Sequence, residues 1–531
     1  MYFETEVKNS KELVAFIQEK FEGHEIDEDI TRSNPFERIC EIIVTHSEKL
    51  GIEIEREYYC KDFMAEYSNF YSKLFKRITS NCHRIHFWKN HKENSDNYLG
   101  YCVLRPLNFS GKKGVRLGKI GRTMIKYNPL QGEYPLLCSA KEEINLDGEK
   151  FEVNATPFIQ QDTQVGVCAQ ASIWMASRYF HGRYKFREYY MDEITEMATR
   201  YKARGSLVPT TGLYEEQMME CFVQMGYIPL FYPIEEWEDY PESIIYRYME
   251  SGIPVILSVK LIDSITRKEG RHAVMVMGHN FNPKHFKNNQ FGSPLPYYTP
   301  LSWIEYFIIQ DDAIGPYIPL FIRKEDTLES FKGIKEKINY FVYPNVESIL
   351  VPLPAGVNLR GEVAEIKAFD LIMNNKVIKD AIQSLSNDPN IKIKKIFQIF
   401  KKALDDKKIV LRTYLKPSNE YKLYLKNKGP ILPLRKLYRS IHMSKYIWIV
   451  EISTTSLFSK EKEEGRSMLG EIIFDASDTS YSEAFLIIHL PFICIIREPH
   501  NEKWTIKTAI TDETSSLLED SIYGHYLFAK G

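Results

Sequence analysis

Two stretches near the amino terminus carry apolar residues at helical spacing. They are SKELVAFIQEKF, and FERICEIIVTHSEKLGI after Asn34-Pro35, which read as cap and first-turn residue. The pattern predicts helix through about residue 90. From Tyr98 the text changes to strand-like runs punctuated by Gly and Pro, YLGYCVLRPL and, past Gly-Lys clusters, IGRTMI. Residues 1–135 are therefore expected to be an α-rich region that ends in a small sheet. Residues 136–330 hold FEVNATPFIQQDTQVGVCAQASIWMASRYF, then polar helical text. Three short apolar strands follow, PVILSV (254–259), HAVMVMG (272–278) and YFIIQ (306–310). The aperiodic segment His279 to Pro300 is expected on the surface.

Residues 331–531 mix both periods. Asp388-Pro389 caps a predicted helix with Ile393, Ile396, Phe397, Phe400 and Leu404 on one face and lysines, read as solvated, opposite. KYIWIVEI (445–452) and GEIIFDAS (470–477) read as strands. The longest apolar run, Ala484 to Ile496, is too short to span a bilayer and is broken by His489 and Pro491, so it predicts two buried strands around a bend. The fold class is α+β, with a role for the third region left open.

Composition narrows function by exclusion. The 69 Lys+Arg against 71 Asp+Glu leave a net charge of −2, which supplies no general field for nucleic acid or an acidic membrane and makes a protein or peptide the better partner. The regions 1–135 and 331–531 would offer surface to a further protein partner. The 13% aromatic share suits β-rich packing layers. The amino terminus MYFETEVKNSKEL lacks the basic start and apolar run of a signal peptide, and the eight cysteines form no CxxC pair. A reducing, cytoplasmic setting is expected.

Chemistry concentrates at Gly166-Val167-Cys168-Ala169-Gln170-Ala171-Ser172, which describes a loop entering a tightly packed helix with the thiol at its amino-terminal end. There the helix dipole and free N–H groups favour thiolate, and one backbone N–H points where an oxyanion forms. The best base is His272, at the head of an apolar strand, where a rigid sheet aims the imidazole. Asp311 and Asp312 close the strand Tyr306–Gln310, so one carboxylate can fix the His272 tautomer. Asp311 is favoured because it directly leaves the strand, with Asp312 as alternate.

Cys168 in C-A-x-A-S and His272 in H-A-V-x-x-x-G resemble the cysteine and histidine boxes of papain-like cysteine peptidases, in particular the bacterial C39-like branch. The resemblance covers residues 136–330. It implies a helix carrying the nucleophile packed on an antiparallel sheet, and a third catalytic member at the end of the strand after the histidine strand, where Asp311 stands. It also implies a glutamine upstream of the cysteine as oxyanion donor. Gln161 lies seven residues before Cys168, with Gln160 and Gln164 as rivals. Ala169 stands where many relatives have Gly, and the 279–300 segment lengthens the His272–Asp311 interval, so Asn280 or Asn282 is an alternative orienting group.

The expected activity is hydrolysis of a peptide or isopeptide bond through a thioester, with no metal or organic cofactor required. The same triad would serve acyl transfer or glutamine deamidation, and the remaining alternative is an inactive binding scaffold. Cys82, His83, His86 and His91 offer ligand types for zinc in spacings that fit no finger, and are expected on a helix with satisfied or solvated histidines. Arg105-Pro106 and Gly121-Arg122-Thr123 read as turn and strand-edge residues.

Overall fold

The computed structural model describes residues 1–21, 34–75, 77–92, 95–107, 119–129, 135–162, 164–200, 212–234, 241–262, 269–286, 296–322, 346–389, 391–428, 438–459, 468–479, 484–490, 493–497 and 504–507. It is α+β, with antiparallel sheets. The expected junction at 330/331, the Gly-Lys cluster at 111–114 and positions 287–295 of the aperiodic segment lie outside these residues.

The first sheet has five strands in sequence order, β1 (Tyr2–Glu6), β2 (Lys49–Tyr58), β3 (Cys82–Lys89), β4 (Tyr98–Arg105) and β5 (Lys119–Ile125). Both expected helices form, as Ser10–Lys20 and Asn34–His46, and pack on each other. Asn9 caps the first by accepting the Glu12 N–H at 3.0 Å, while the Glu12 carboxylate accepts the Lys8 N–H at 2.8 Å. Sheet, however, begins at the second residue, so residues 1–135 hold a five-stranded sheet with helices and not an α-rich region that ends in a small sheet. The local signals explain the error. In β2, Ile52 and Ile54 are buried in a plain Ile-Glu-Ile-Glu alternation. In β3 every residue from Cys82 to Trp88 is buried, and a strand covered on both faces has no alternation to read.

The short strand β6 (Leu136–Leu137) and a hairpin of β7 (Ala140–Leu146) and β8 (Glu149–Ala155) lead onward, with β7 and β8 joined through Asp147-Gly148, both at positive φ (52° and 84°). The second sheet contains β9 (Tyr227–Pro233), β10 (Val255–Ile262), β11 (Glu269–His279), β12 (Tyr306–Asp311), β13 (Gly315–Phe321) and β14 (Val346–Pro354), in the order β13-β12-β11-β10-β14-β9, with β6 pairing β11. The three strands expected from periodicity are β10, β11 and β12. The sheet also takes β14 from beyond residue 330 and inserts it between β10 and β9. Gly278 is required where β6 meets β11: a Cβ there would stand 2.1 Å from the Leu136 carbonyl oxygen.

The third sheet is a meander of β15 (Ile409–Pro417), β16 (Tyr446–Thr454), β17 (Gly470–Asp475), β18 (Phe485–Leu490), β19 (Ile493–Arg497) and β20 (Trp504–Lys507). β18 and β19 are the two strands read from the long apolar run. The helix Ile391–Asp405 buries Phe397 and Phe400. Among the described residues no helix is long and apolar enough to cross a membrane.

The segment after His279 is only in part a surface loop where it is described: Lys284 and Phe286 are exposed, but its two ends are not. Asn280, Phe281 and Tyr297 are buried. Tyr298 bridges to β15, donating its N–H to Ile409 at 2.7 Å and accepting that of Leu411 at 2.9 Å. The same junction holds a buried ion network. Arg412 of β15 contacts Glu250 at 2.6 Å and Glu451 at 2.8 Å, and Glu250 also meets His279 at 3.2 Å. Two carboxylates around one guanidinium are tolerable out of water only while every partner remains. Arg412→Ala is therefore expected to destabilise the protein by about 3–5 kcal/mol, checked by urea unfolding of both proteins.

Candidate active site

The path into the Cys168 helix is set by Asp162. Its Oδ1 accepts the backbone N–H groups of Gln164 (2.9 Å), Val165 (3.0 Å) and Gly166 (3.0 Å), which folds the loop around one buried carboxylate. Its Oδ2 accepts the Tyr71 hydroxyl and lies 3.9 Å from the Arg105 guanidinium. Arg105 is buried, paired with Glu66 at 2.9 Å, and donates to the carbonyls of Ile120 and Gln160. Arg105 is thus a charged strut between the first sheet and the loop, not a strand-edge residue. The loop then passes Gly166 against Met191, whose sulfur would lie 2.7 Å from a Cβ at that position. Val167 is extended and serves as N-cap, and Cys168 is the first residue of the helix Cys168–Tyr184.

That helix is buried from Ala169 to Phe180. Ser172 ties it to the histidine strand by donating its hydroxyl to the Ala273 carbonyl at 3.2 Å. Trp174 and Arg178 both donate to Asp62, which belongs to the helix Lys61–Asn69 of the first region. Cys168 differs from the other seven cysteines, all of which are fully buried, in being partly open to solvent. Burial pushes the thiols of Cys102, Cys138 and Cys221 up to about 12, so those groups are inert core residues.

His272 sits in β11, nine-tenths buried, with Nε2 3.1 Å from Asp311 Oδ1 and 3.7 Å from Asp312 Oδ1. The Cys168 thiol adjoins the same ring and helps to raise its pKa, and with Nε2 on Asp311 it is Nδ1 that is left for the sulfur. Asp311 is held still because the same Oδ1 accepts the N–H groups of Ala313 (2.8 Å) and Ile314 (3.1 Å). Burial alone would lower the His272 pKa. The charge and hydrogen bond of Asp311, the contact with Cys168 and the charge of Asp312 outweigh it and hold the ring well above the ordinary imidazole range. Asp312 is pushed up to about 7, first by burial and then by the Asp311 charge, against the opposing pull of His272 and the backbone N–H of Gln161.

Four of the residues picked out by sequence, Cys168, His272, Asp311 and Asp312, thus meet in space. Gln161 joins them through its backbone, which faces Asp312, and its side chain is half-buried. Gln164 is also half-buried, with its N–H on Asp162. Gln160 is engaged elsewhere, its side chain accepting the Ile120 N–H at 3.0 Å. Asn280 and Asn282 do not orient the histidine: both donate to Glu305, at 2.9 and 3.3 Å. The histidine cluster of the first region does not converge. It lies on β3, where His86 is held between Tyr98 and Glu55, while His91 is exposed beside Glu4. No protein-family model matches the chain, and no curated protein matches it.

The residues that sequence reasoning missed are Asp162, Tyr71 and Glu66. Asp162 stands in a polar run of Gln and Thr with no periodicity, and its partners Tyr71 and Arg105 lie tens of positions upstream. One consequence is measurable. Burial drives the Glu66 carboxyl up to about 8, only partly offset by Arg105, so between pH 4.5 and 8 the native chain holds a proton that the unfolded chain releases. Stability from this group is therefore lost as pH rises through that window, with a slope approaching about 1.4 kcal/mol per pH unit. Glu66→Gln is expected to flatten that slope relative to wild type in denaturant melts from pH 5 to pH 8. Parallel slopes would show that Glu66 is ionised throughout.

Proposed function

We propose that the chain is a papain-like cysteine hydrolase that cleaves a peptide or isopeptide bond, closest in type to the C39-like branch. The observation that carries this reading is His272, bound on one side by the Cys168 thiol and on the other by Asp311 at 3.1 Å. Three groups in that order have the relation that thiol acyl chemistry needs: nucleophile, base, and an acceptor that fixes the tautomer of the base. Helix on antiparallel sheet supports the papain-like assignment, as does the single partly open cysteine among eight free thiols.

In the proposed reaction the thiol proton resides on His272 Nδ1, as the raised imidazole pKa favours, and the Cys168 thiolate attacks the amide carbonyl. The oxyanion is held by the Cys168 backbone N–H, which as the first of the helix has no intrahelical acceptor, and by the Gln161 side chain. His272 returns the proton to the leaving amine as the C–N bond breaks, leaving a thioester. The neutral ring then takes a proton from water, whose attack releases the acid and restores the thiol. Asp311 keeps the Nε2 proton in place throughout. The substrate class is protein or peptide, no cofactor takes part, and a reducing cytoplasm keeps the thiol free. The flanking regions would govern access and partner choice.

Labelling with iodoacetamide at neutral pH tests the pair. Cys168 is expected to react fastest of the eight thiols and to slow at least about tenfold in His272→Ala. No labelling, or equal labelling in the variant, overturns the reading and favours an inactive scaffold. New peptide termini in cell lysate should appear with wild type, be absent with Cys168→Ala, and fall about 100-fold or more in rate with Asp311→Asn.

A further inference from the structure

The hydrolase chemistry uses one carboxylate beside His272 and leaves a second without a role. Asp312 is fully buried; the Gln161 backbone N–H faces it, but neither of its oxygens accepts a hydrogen bond of good geometry, and Asp311 Oδ2 accepts none either. Unpaired carboxylate oxygens in a dry site are costly, and a second carboxylate next to the first raises that cost. A bound cation removes both penalties at once.

We propose that His272, Asp311 and Asp312 form a binding site for a divalent ion of the zinc class, and that occupancy silences Cys168. One ligand atom from each residue lies within 4.8 Å of the other two. The His272 Nε2 separations of 3.1 Å to Asp311 Oδ1 and 3.7 Å to Asp312 Oδ1 bracket the ligand–ligand edge of a zinc tetrahedron, roughly 3.3–3.5 Å for metal–ligand bonds of about 2.0–2.1 Å. Three protein ligands with solvent in the fourth place satisfy zinc. An imidazole nitrogen and only two carboxylates are a poor set for calcium or magnesium, which take oxygen donors in larger number.

Charge balances as well. Two carboxylates match the dication, and the Nε2 proton leaves to solvent. The Cys168 sulfur is outside the donor set because it faces the other ring nitrogen. With metal on Nε2, the remaining ring proton is fixed on Nδ1, so the imidazole has no lone pair with which to accept the thiol proton. Metal binding and turnover then exclude each other. This silencing rests on the hydrolase reading, whereas the binding itself does not.

Full-length, metal-free protein should take up one equivalent of Zn2+ in equilibrium dialysis, and Cys168→Ala should do the same. Asp312→Asn and His272→Gln should each bind at least about tenfold more weakly. Co2+ in the site should give tetrahedral absorption bands without thiolate-to-metal charge transfer. Uptake that is absent in wild type, lost in Cys168→Ala, or unchanged in both His272→Gln and Asp312→Asn overturns the site. Circular dichroism melts establish which variants fold. If Asp312→Asn does not, His272→Gln together with Cys168→Ala decides the matter. The two readings fail separately. Zinc uptake with no reactive Cys168 removes the hydrolase and leaves the metal site, and a reactive, proteolytic chain without uptake does the reverse.

Discussion

One buried carboxylate, Asp162, governs how the rest of the site is assembled. Three successive N–H groups of the loop before Cys168 end on its Oδ1, and without that acceptor they would be buried donors in a turn that has no sheet or helix to satisfy them. A carboxylate in this position must itself be compensated. Tyr71 and Arg105 supply the compensation, and Arg105 in turn needs Glu66 and the carbonyls of Ile120 and Gln160. The first sheet is therefore part of the apparatus that sets the direction of the Cys168 helix.

Once the loop is fixed, the register of β11 does the remaining work. The Cys168 helix lies against β11, locked by Ser172 to Ala273, so the adjacent His272 is carried to the helix start where the sulfur is. β12 runs antiparallel beside it, and its end delivers Asp311 to the other side of the imidazole. Gln310, immediately before, is braced by donating to the carbonyls of Thr156 and Pro157 and accepting the Tyr317 N–H, which ties the strand end to the segment leading into the Asp162 loop. Both halves of the site thus share one frame, and neither contact of His272 depends on a long exposed side chain.

The parts that could be read from the chain are those in which local pattern and tertiary role agree. Small residues after Cys168 predicted a packed helix because close packing on a sheet selects them, and the apolar runs of β10, β11 and β12 are buried on both faces as central strands require. Asp311 was legible because a strand end is a defined place. The misreadings have equally physical causes. β3 does not read as a strand because one sealed on both sides carries Cys, His, Ile, Phe and Trp without alternation. Asn280 looked like a surface residue in an aperiodic segment, yet it is buried because its carbonyl oxygen caps the N–H groups of Glu305 and Tyr306 while its amide donates to the Glu305 carboxylate. Arg105, Glu66 and Asp162 make pairs separated by tens of residues, and no short-range pattern encodes such a pair.

The flanking regions are joined to the site by burial as well as by ion pairs. One continuous apolar cluster runs from Val7 and Ile17 in the first region, through Trp174 and Met275 beneath the site, to Trp448 and Ile495 in the third. Trp448 packs against Tyr248 and donates its indole N–H to the Leu359 carbonyl, while Arg412 and Thr413 hold the helix Pro241–Glu250 and the following Gly361–Asn374 helix through Glu250 and Glu365. Cutting such a core would expose a wide apolar face and strand Glu250, Glu365 and Asp162 without their cations. The helix and sheet that carry Cys168, His272 and both aspartates are thus packed in a core to which all three regions contribute.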